Sequence, residues 1–594
     1  MKKILSLIQC VLILGCMMIY TSCGDEFLTK VPPAQLSQPT LMTEQGIEGL
    51  LMGSYAIMCG GDIFGAAMGT DWVYASGASD DCYKGSEEGD QSQFNDVERY
   101  NAQPDNPYMT ARWSYCYEGI ARCNSTISFL KEYQQGDKPI AAARASQIEA
   151  EARFLRAWYH FSANRVFKNI PYVMTPDEQG GKLADEIPNT DPGWAPMKAD
   201  LDFAIANLPE SQPGFPGRPT KYAAIALQAQ AFMYQNKLAE AKPLLDQVIN
   251  SGKYSLVANY FDNYDERTEN NSESIFEIQC STSATGSPAM DLSGACMIQP
   301  TGPAAVGWGF YQPSQNLVEA FQVTNDGLPF LNPSDRPVLK HDMMVSATTP
   351  FTPTDQLVDL RLDWTVARRG VDYLGWGIFP GASWIRNHAN GGPYMTKKFM
   401  HFEATKSQQA GSGFRNNRNF RLLRLAHVLL WRAEVAVEEG DYVKARELVN
   451  QIRNRVKTSK PVMGFVSATT IPSSGAVPAA DVDWTKPAAN YKCEPYPEDH
   501  AAFKSKETAR EAVRLELRLE FASEGQRFFD LRRWGQADGS YDVQVLTAYI
   551  AHDSKFRDFM KGATYSTKRR YWPIPQLQVE LQPGVLTQDP DYVK

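Results

Sequence analysis

The sequence predicts a mainly α protein: a tetratricopeptide-like helical scaffold with long irregular loop insertions and a few short strands. Two observations carry this prediction. Apolar residues recur with helical spacing in separate stretches, and one helix-turn-helix pattern occurs twice, about 200 residues apart. Ile148 to Phe167 places Phe154, Leu155, Trp158 and Phe161 on one stripe, the signature of an amphipathic helix burying an aromatic face. A second helix is expected from Pro219, whose fixed φ suits a first turn. It runs through Leu227, Ala231 and Tyr234, and a partner helix follows from Leu238 to Ile249, with Gly252 just beyond its end.

The repeat is visible as Ala229, Ala241, Leu244, Gln247 and Val248 in register with Ala433, Ala445, Leu448, Gln451 and Ile452. Both copies break at a short polar turn, Gln235-Asn236 in one and Glu439-Gly440 in the other. Alanine at this spacing lets paired helices approach closely. The long separation implies helical units divided by insertions, without an uninterrupted solenoid. Ser255 to Arg418 reads as loops and short strands, such as Ser274 to Ile278. Gly60 to Tyr108 has the same loop-like character, and Lys457 to His500 reads as a further insertion rich in Pro, Ala and Ser.

The first 22 residues read as a leader. Lys2 and Lys3 precede an apolar run from Ile4 to Tyr20, and Thr21-Ser22-Cys23 follows with Gly24-Asp25-Glu26 directly after. That pattern is a secretory signal, not a membrane-spanning helix. A cysteine directly after small residues is the expected lipid attachment point, with its acyl chains anchoring the protein in a bilayer. Ile13-Leu14-Gly15-Cys16 is a competing site. Cys23 is favoured because cleavage at Cys16 would leave Met17 to Tyr20 as an apolar stub.

Composition bounds the rest. The 594 residues are 43% hydrophobic and 21% charged with a net charge of −9, which grows more negative once Lys2 and Lys3 leave. The mature chain has no strongly basic block, which argues against nucleic acid as a partner. Seven cysteines remain after the leader and Cys23 are set aside: Cys59, Cys82, Cys116, Cys123, Cys280, Cys296 and Cys493. None is in a CxxC spacing, so no zinc site is expected; one or two disulfides are possible. The seven histidines form no HxH or HExxH pattern, there is no GxSxG elbow and no Walker loop, and the carboxylates of Asp262 to Glu269 lack calcium-loop spacing. No catalytic residue, metal or cofactor is expected. Glu507/Arg510, Glu511/Arg514 and Asp530/Arg533, each three apart, are read as ion pairs on a helix surface.

Loop aromatics are the candidate binding residues. Trp72 and Tyr74 stand near Asp80 and Tyr83; Trp308 and Tyr311 lie in Gly307 to Tyr311; Trp376 and Trp384 precede Arg386 and Asn387. An indole face packs on the C–H face of a pyranose while Asp, Asn and Arg hydrogen-bond its hydroxyls. Glycine neighbours are expected to leave these rings accessible.

Segments along nearly the whole chain resemble the SusD/RagB family of Bacteroidetes outer-membrane nutrient-binding lipoproteins. They are Ser22 to Leu28 with Pro32-Pro33, Glu151 to Tyr159, Gly217 to Ala224, Leu429 to Glu434, Glu524 to Gly535 and Trp572 to Gln576. The resemblance implies a signal peptide over 1–22, a SusD-like N-terminal region over 23–254, and a C-terminal region over 255–594 with a loop-rich ligand face at about 280–418. It implies tetratricopeptide-like helices, a glycan ligand with oligopeptide as the alternative cargo, and delivery to a SusC-like TonB-dependent transporter. It also implies binding without cleavage, so a cell-surface glycoside hydrolase is the remote alternative. The acidic residues after Cys23 imply export to the extracellular side of the outer membrane.

Overall fold

The computed structural model describes residues 38–59, 71–280, 300–302, 307–352, 355–408, 418–467 and 477–593. The leader, Cys16, Cys23 and part of the expected ligand face lie outside the described residues. The scaffold consists of helices α1 (Glu44–Ala56), α2 (Pro107–Tyr133), α3 (Ala142–Phe167), α4 (Trp194–Asn207), α5 (Lys221–Tyr234), α6 (Leu238–Ile249), α7 (Leu425–Glu439) and α8 (Tyr442–Thr458). Then follow α9 (Lys506–Phe521), α10 (Arg527–Asp538) and α11 (Tyr541–Asp553). Each of α2 to α8 packs on the next in the chain.

Local chemistry sets the helix boundaries. Thr220 caps α5 by accepting the Ala223 amide at 3.3 Å, and Asp441 caps α8 by accepting the Lys444 amide at 3.0 Å. Gly440, at φ 82°, closes α7 in the left-handed conformation that glycine adopts without steric cost. The faces these helices share are filled by Ala223, Ala226, Ala229, Ala241, Ala433, Ala436 and Ala445, all fully buried. The backbones can therefore approach closely.

The expected helices over 148–167 and from Pro219 are present, and the partner helix has the expected bounds. The reading of the repeat as divided units needs correction. Although Ile249 and Leu425 are far apart in sequence, α6 packs directly on α7. Lys242 pairs with Glu439 at 2.8 Å and Arg432 with Asp246 at 2.8 Å across that junction. The two copies are neighbours in space, so the helical stack is continuous and the insertion is looped out of it. Its neck is closed by strands β2 (Ser274–Ile278) and β4 (Phe420–Arg424), antiparallel with Ser274 opposite Arg424 and Ile278 opposite Phe420.

Three features hold the inserted regions. Strand β1 (Cys82–Gly85) pairs antiparallel with β3 (Phe310–Pro313), tying the 71–106 segment to the insertion. A second, smaller hydrophobic cluster forms around Tyr260, Phe261, Tyr373, Phe379, Trp384 and Met400, with Trp364, Trp376 and Phe402 along its edge. The stretch read as a Pro/Ala/Ser-rich insertion carries a hairpin of β5 (Met463–Val466) and β6 (Val482–Pro487).

Two other readings are adjusted. Glu511–Arg514 at 3.5 Å is an ion pair as expected, and Asp530–Arg533 at 2.7 Å is one too but buried instead of on a helix surface, while Arg510 reaches across to Glu438 at 2.5 Å instead of pairing with Glu507. Cys82, Cys116, Cys123 and Cys493 are buried free thiols, so no disulfide links them.

Candidate functional site

The one strongly exposed tryptophan of the predicted set stands beside the end of the β1–β3 ribbon. Gly85 faces Phe310 in the ladder, and the Ser86 amide donates to the Gly309 carbonyl at 2.7 Å. Gly85 and Gly309 both have left-handed backbone, at φ 78° and 70°. A Cβ on Gly85 would come within 2.7 Å of the Gly309 oxygen, so this close approach requires glycine. The loops 86–90 and 307–309 therefore leave the ribbon side by side.

Buried Lys84 organises the first loop. Its Nζ donates to the carbonyls of Glu87 at 2.9 Å, Glu88 at 3.0 Å and Asp90 at 2.8 Å. Burial pulls its pKa down to about 8, opposed by the carboxylates of Glu98 and Asp90. Arg386 then bridges the loops. It donates to Asp90 Oδ2 at 2.5 Å and Ser86 Oγ at 3.2 Å, and its Nε lies 3.2 Å from Glu87 Oε1. The same guanidinium lies 5.0 Å from the Trp308 ring centroid, a cation–π contact, while Trp308 stays 46% exposed. Asn390 Nδ2 donates to the carbonyls of Gly85 and Ser86 at 3.1 Å each, and the Asn387 side chain accepts the Asn390 amide at 3.1 Å. The result is an accessible indole held by a cation, with the carboxylates of Glu87 and Asp90 beside it.

The structure brings together Trp308, Arg386 and Asn387, which the sequence suggested as parts of two separate clusters. It moves most of the other predicted rings into the core. Trp72 is fully buried with its ring centroid 5.0 Å from Phe94 and 5.5 Å from Tyr311. Tyr74 donates to the Tyr108 carbonyl at 2.6 Å beneath the Arg112 guanidinium. Tyr311 bonds the Ser523 carbonyl at 2.6 Å, and Tyr83 accepts the Gln315 amide at 3.0 Å and bonds Asp553. Asp80 faces Arg527 at 2.8 Å and Arg518 at 3.1 Å; burial would raise its carboxyl, but the two guanidinium groups hold it at about 2.

Trp384 is buried against Phe379, with Gly302 packed on its ring. Trp376 is half-buried, its indole donating to the His401 carbonyl at 3.0 Å. The expectation that glycine neighbours leave these rings accessible therefore fails for Trp72, Tyr74, Tyr83, Tyr311 and Trp384. In this protein the left-handed turns fold loop aromatics inward, onto ion-paired carboxylates such as Asp71, which Arg165 holds at 2.6 Å.

The carboxylates of 262–269 are engaged by neighbours. Asp262 accepts from Asn259 at 3.1 Å, Asp265 from Arg267 at 2.6 Å, Glu266 from the Phe402 amide at 3.1 Å and Glu269 from the Asn419 amide at 2.5 Å. Among the described residues no group of three or more His, Cys, Asp or Glu side chains could hold a metal ion. Sequence reasoning missed Glu87 and Asp90, because nothing in a loop's composition announces which carboxylates a distant arginine will gather. It also missed Trp364 and Trp484, which lie outside the glycine-flanked clusters.

Residues 272–592 match the model of the SusD family, and residues 27–233 match a model described as starch-binding associating with outer membrane. The chain belongs to the SusD family. A SusD-like protein P25 of Formosa agariphila is 22% identical over 581 residues, covering 95% of each chain. Among solved structures, a SusD-like carbohydrate-binding protein of Bacteroides fragilis superposes with a TM-score of 0.66 at 22% identity, covering 91% of this chain and 98% of that one. Surface glycan-binding protein A of Bacteroides thetaiotaomicron in complex with laminarihexaose gives 0.62 at 20% identity, covering 92% and 99%. These likenesses establish the SusD fold. Among the described residues of this SusD-family chain, no helix is long and apolar enough to cross a membrane.

Proposed function

We propose that this SusD-family protein is a surface-exposed outer-membrane lipoprotein that binds an oligosaccharide and passes it, uncleaved, to a SusC-like TonB-dependent transporter. The observation that carries the binding reading is the Trp308 platform. An exposed indole held by Arg386, with hydroxyl acceptors on Glu87 and Asp90, matches what a pyranose ring needs from a protein surface. Both carboxylates beside the ring are ion-paired to Arg386, which supports binding without acid–base chemistry. Relatives that bind glycan, including the laminarihexaose complex, support the same ligand class.

Trp308→Ala is expected to weaken glycan binding by roughly 2 kcal/mol, about 30-fold, as truncating a central aromatic contact does. Affinity electrophoresis in gels of laminarin, starch, xyloglucan and xylan would measure it. A variant retarded as strongly as the wild type in every gel would remove Trp308 from the site. The anchor is tested separately. Cys23→Ala is expected to shift the protein from the membrane fraction to the soluble fraction, because acyl chains contribute about 0.8 kcal/mol per buried CH2 and no helix among the described residues could cross a membrane in their place. A Cys23→Ala protein that stays with the membrane would refute attachment at that residue.

A further inference from the structure

A second aromatic cavity lies against the smaller hydrophobic cluster, sharing no residue with the Trp308 platform. It has a volume of about 360 Å3 and is lined by Trp364, Phe402, Asp372 and Trp484, with Lys460 at its edge. That volume lies within the roughly 300–1,000 Å3 of small-ligand sites. We infer that this cavity is a second saccharide subsite, in which the indoles of Trp364 and Trp484 receive a pyranose ring and Asp372 accepts one of its hydroxyls. The inference takes its ligand class from the glycan reading above but not from the Trp308 site.

The two indoles are held differently, one open to solvent and one fixed on the cluster. Trp484 projects from β6 and is 53% exposed. Beneath it Gly464, at φ 100°, has no side chain; a Cβ there would come within 2.8 Å of Trp484 Cζ3. One face of the indole therefore lies on bare backbone, and its outward face is left open. Trp364 is fixed twice. Its ring stacks on Phe261 with centroids 4.7 Å apart and planes 25° apart, and its Nε1 donates to the Lys460 carbonyl at 2.8 Å. Immobilising the ring in advance removes the ordering cost that a ligand would otherwise meet.

The polar group selects the ligand. Asp372 Oδ2 accepts the Gly375 amide at 2.9 Å, whereas Oδ1 is buried with no hydrogen-bond partner among the described residues. The buried ammonium of Lys397, which also lines the cavity and donates to the Asp372 carbonyl at 2.5 Å, balances the carboxylate charge without bonding Oδ1. An unpaired buried acceptor is costly, so a ligand that donates to it is favoured over one that cannot. An apolar side chain or acyl chain filling this cavity would leave Oδ1 unpaired. A sugar offers both an apolar C–H face for the indoles and a hydroxyl for Asp372. Lys460, exposed at the rim, adds a donor for ring or glycosidic oxygens.

The test compares Trp484→Ala, Trp484→Phe, Trp308→Ala and the Trp308/Trp484 double alanine variant in the same four polysaccharide gels. Trp484 is exposed, so its alanine variant is expected to melt at the wild-type temperature, and the phenylalanine variant retains an aromatic face if it does not. A five- to tenfold affinity loss for Trp484→Ala, substantial rescue by Trp484→Phe, and a larger loss in the double variant than in either single one would support the subsite. Wild-type retardation of Trp484→Ala in every gel that retards the parent would overturn it while leaving the Trp308 site intact. Loss in Trp484→Ala with none in Trp308→Ala would keep the subsite and overturn the Trp308 platform. A wild-type protein that no gel retards would overturn both.

Discussion

Replacing Glu520 by glutamine is expected to destabilise the protein by about 3–5 kcal/mol, although it alters a single oxygen to nitrogen. Glu520 lies on the buried face of α9, fully inaccessible, and accepts from Arg424 at 2.7 Å, Arg361 at 3.1 Å and also from Arg455. Around it the charges balance. Glu273, Asp359, Glu516, Glu520 and Glu524 face Arg361, Lys398, Arg424, Arg453 and Arg455. The three guanidinium groups around Glu520 overcome the effect of burial and hold its carboxyl well below the usual range.

The network joins α9 to the strand pair at the neck of the insertion, to α8 and to the 359–361 turn, so it fixes the ligand face on the scaffold. Glutamine would leave one buried positive charge without its counter-charge, and its amide would turn a donor toward arginines that only donate. Urea denaturation followed by circular dichroism reads the loss; a change below about 1 kcal/mol would show that water or rearrangement screens the network. Glu447→Gln, whose partner Lys444 is 3.7 Å away on the exposed surface, is the control and should stay within about 0.5 kcal/mol. Adding Arg455→Met to Glu520→Gln removes the excess cation and should recover part of the loss, because residues within one network are not additive.

How much of this was legible in the sequence follows from the range of each interaction. The helices with a 3.6-residue apolar period, 148–167 and 219–249, were readable because the signal is local. So was the strand at Ser274 to Ile278. The sequence pattern does not reveal α1 or α2, and Gly60 to Tyr108 reads as loop. From Pro107 onward α2 mixes Arg112, Glu118, Arg122 and Asn124 among its aromatics, which blurs the periodicity. The repeat identified both helix pairs but not their contact, since adjacency across a long insertion depends on the tertiary Lys242–Glu439 and Arg432–Asp246 pairs.

The aromatics were misjudged for a related reason. Glycine beside tryptophan signals a turn, and a turn can present a ring to solvent or fold it inward. Which occurs depends on partners far along the chain: Ser523 for Tyr311, Asp553 for Tyr83, Arg518 and Arg527 for Asp80. Only Trp308, held by Arg386 from the outside, remained well exposed among the predicted tryptophans.

Gly535→Ala is expected to destabilise by about 3 kcal/mol, and the sign alone makes it informative. Within an ordinary exposed helix, alanine is better than glycine by about 1 kcal/mol. Gly535 closes the Glu524 to Gly535 segment on α10, where the start of α11 crosses it. A Cβ there would fall inside the van der Waals envelope of Asp542 Oδ1 and Cγ, and within 2.9 Å of Asp542 Cβ. Asp542 has nowhere to move: it is fully buried, accepts from Arg570 at 2.7 and 2.8 Å and from the Tyr565 hydroxyl at 2.9 Å.

The added methyl must therefore either displace a helix or break a buried ion pair. Overpacking alone costs about 1–3 kcal/mol and loss of a buried charge partner more, so the helical preference of alanine is outweighed. The comparison is Gly49→Ala on the exposed face of α1, where no atom lies within 4 Å of the new Cβ. That variant should gain about 0.5–1 kcal/mol. Parallel urea titrations give both values. Opposite signs at the two glycines would show that packing of α11 on α10, not backbone conformation, requires Gly535; a stabilised Gly535→Ala would show that the two helices do not meet there.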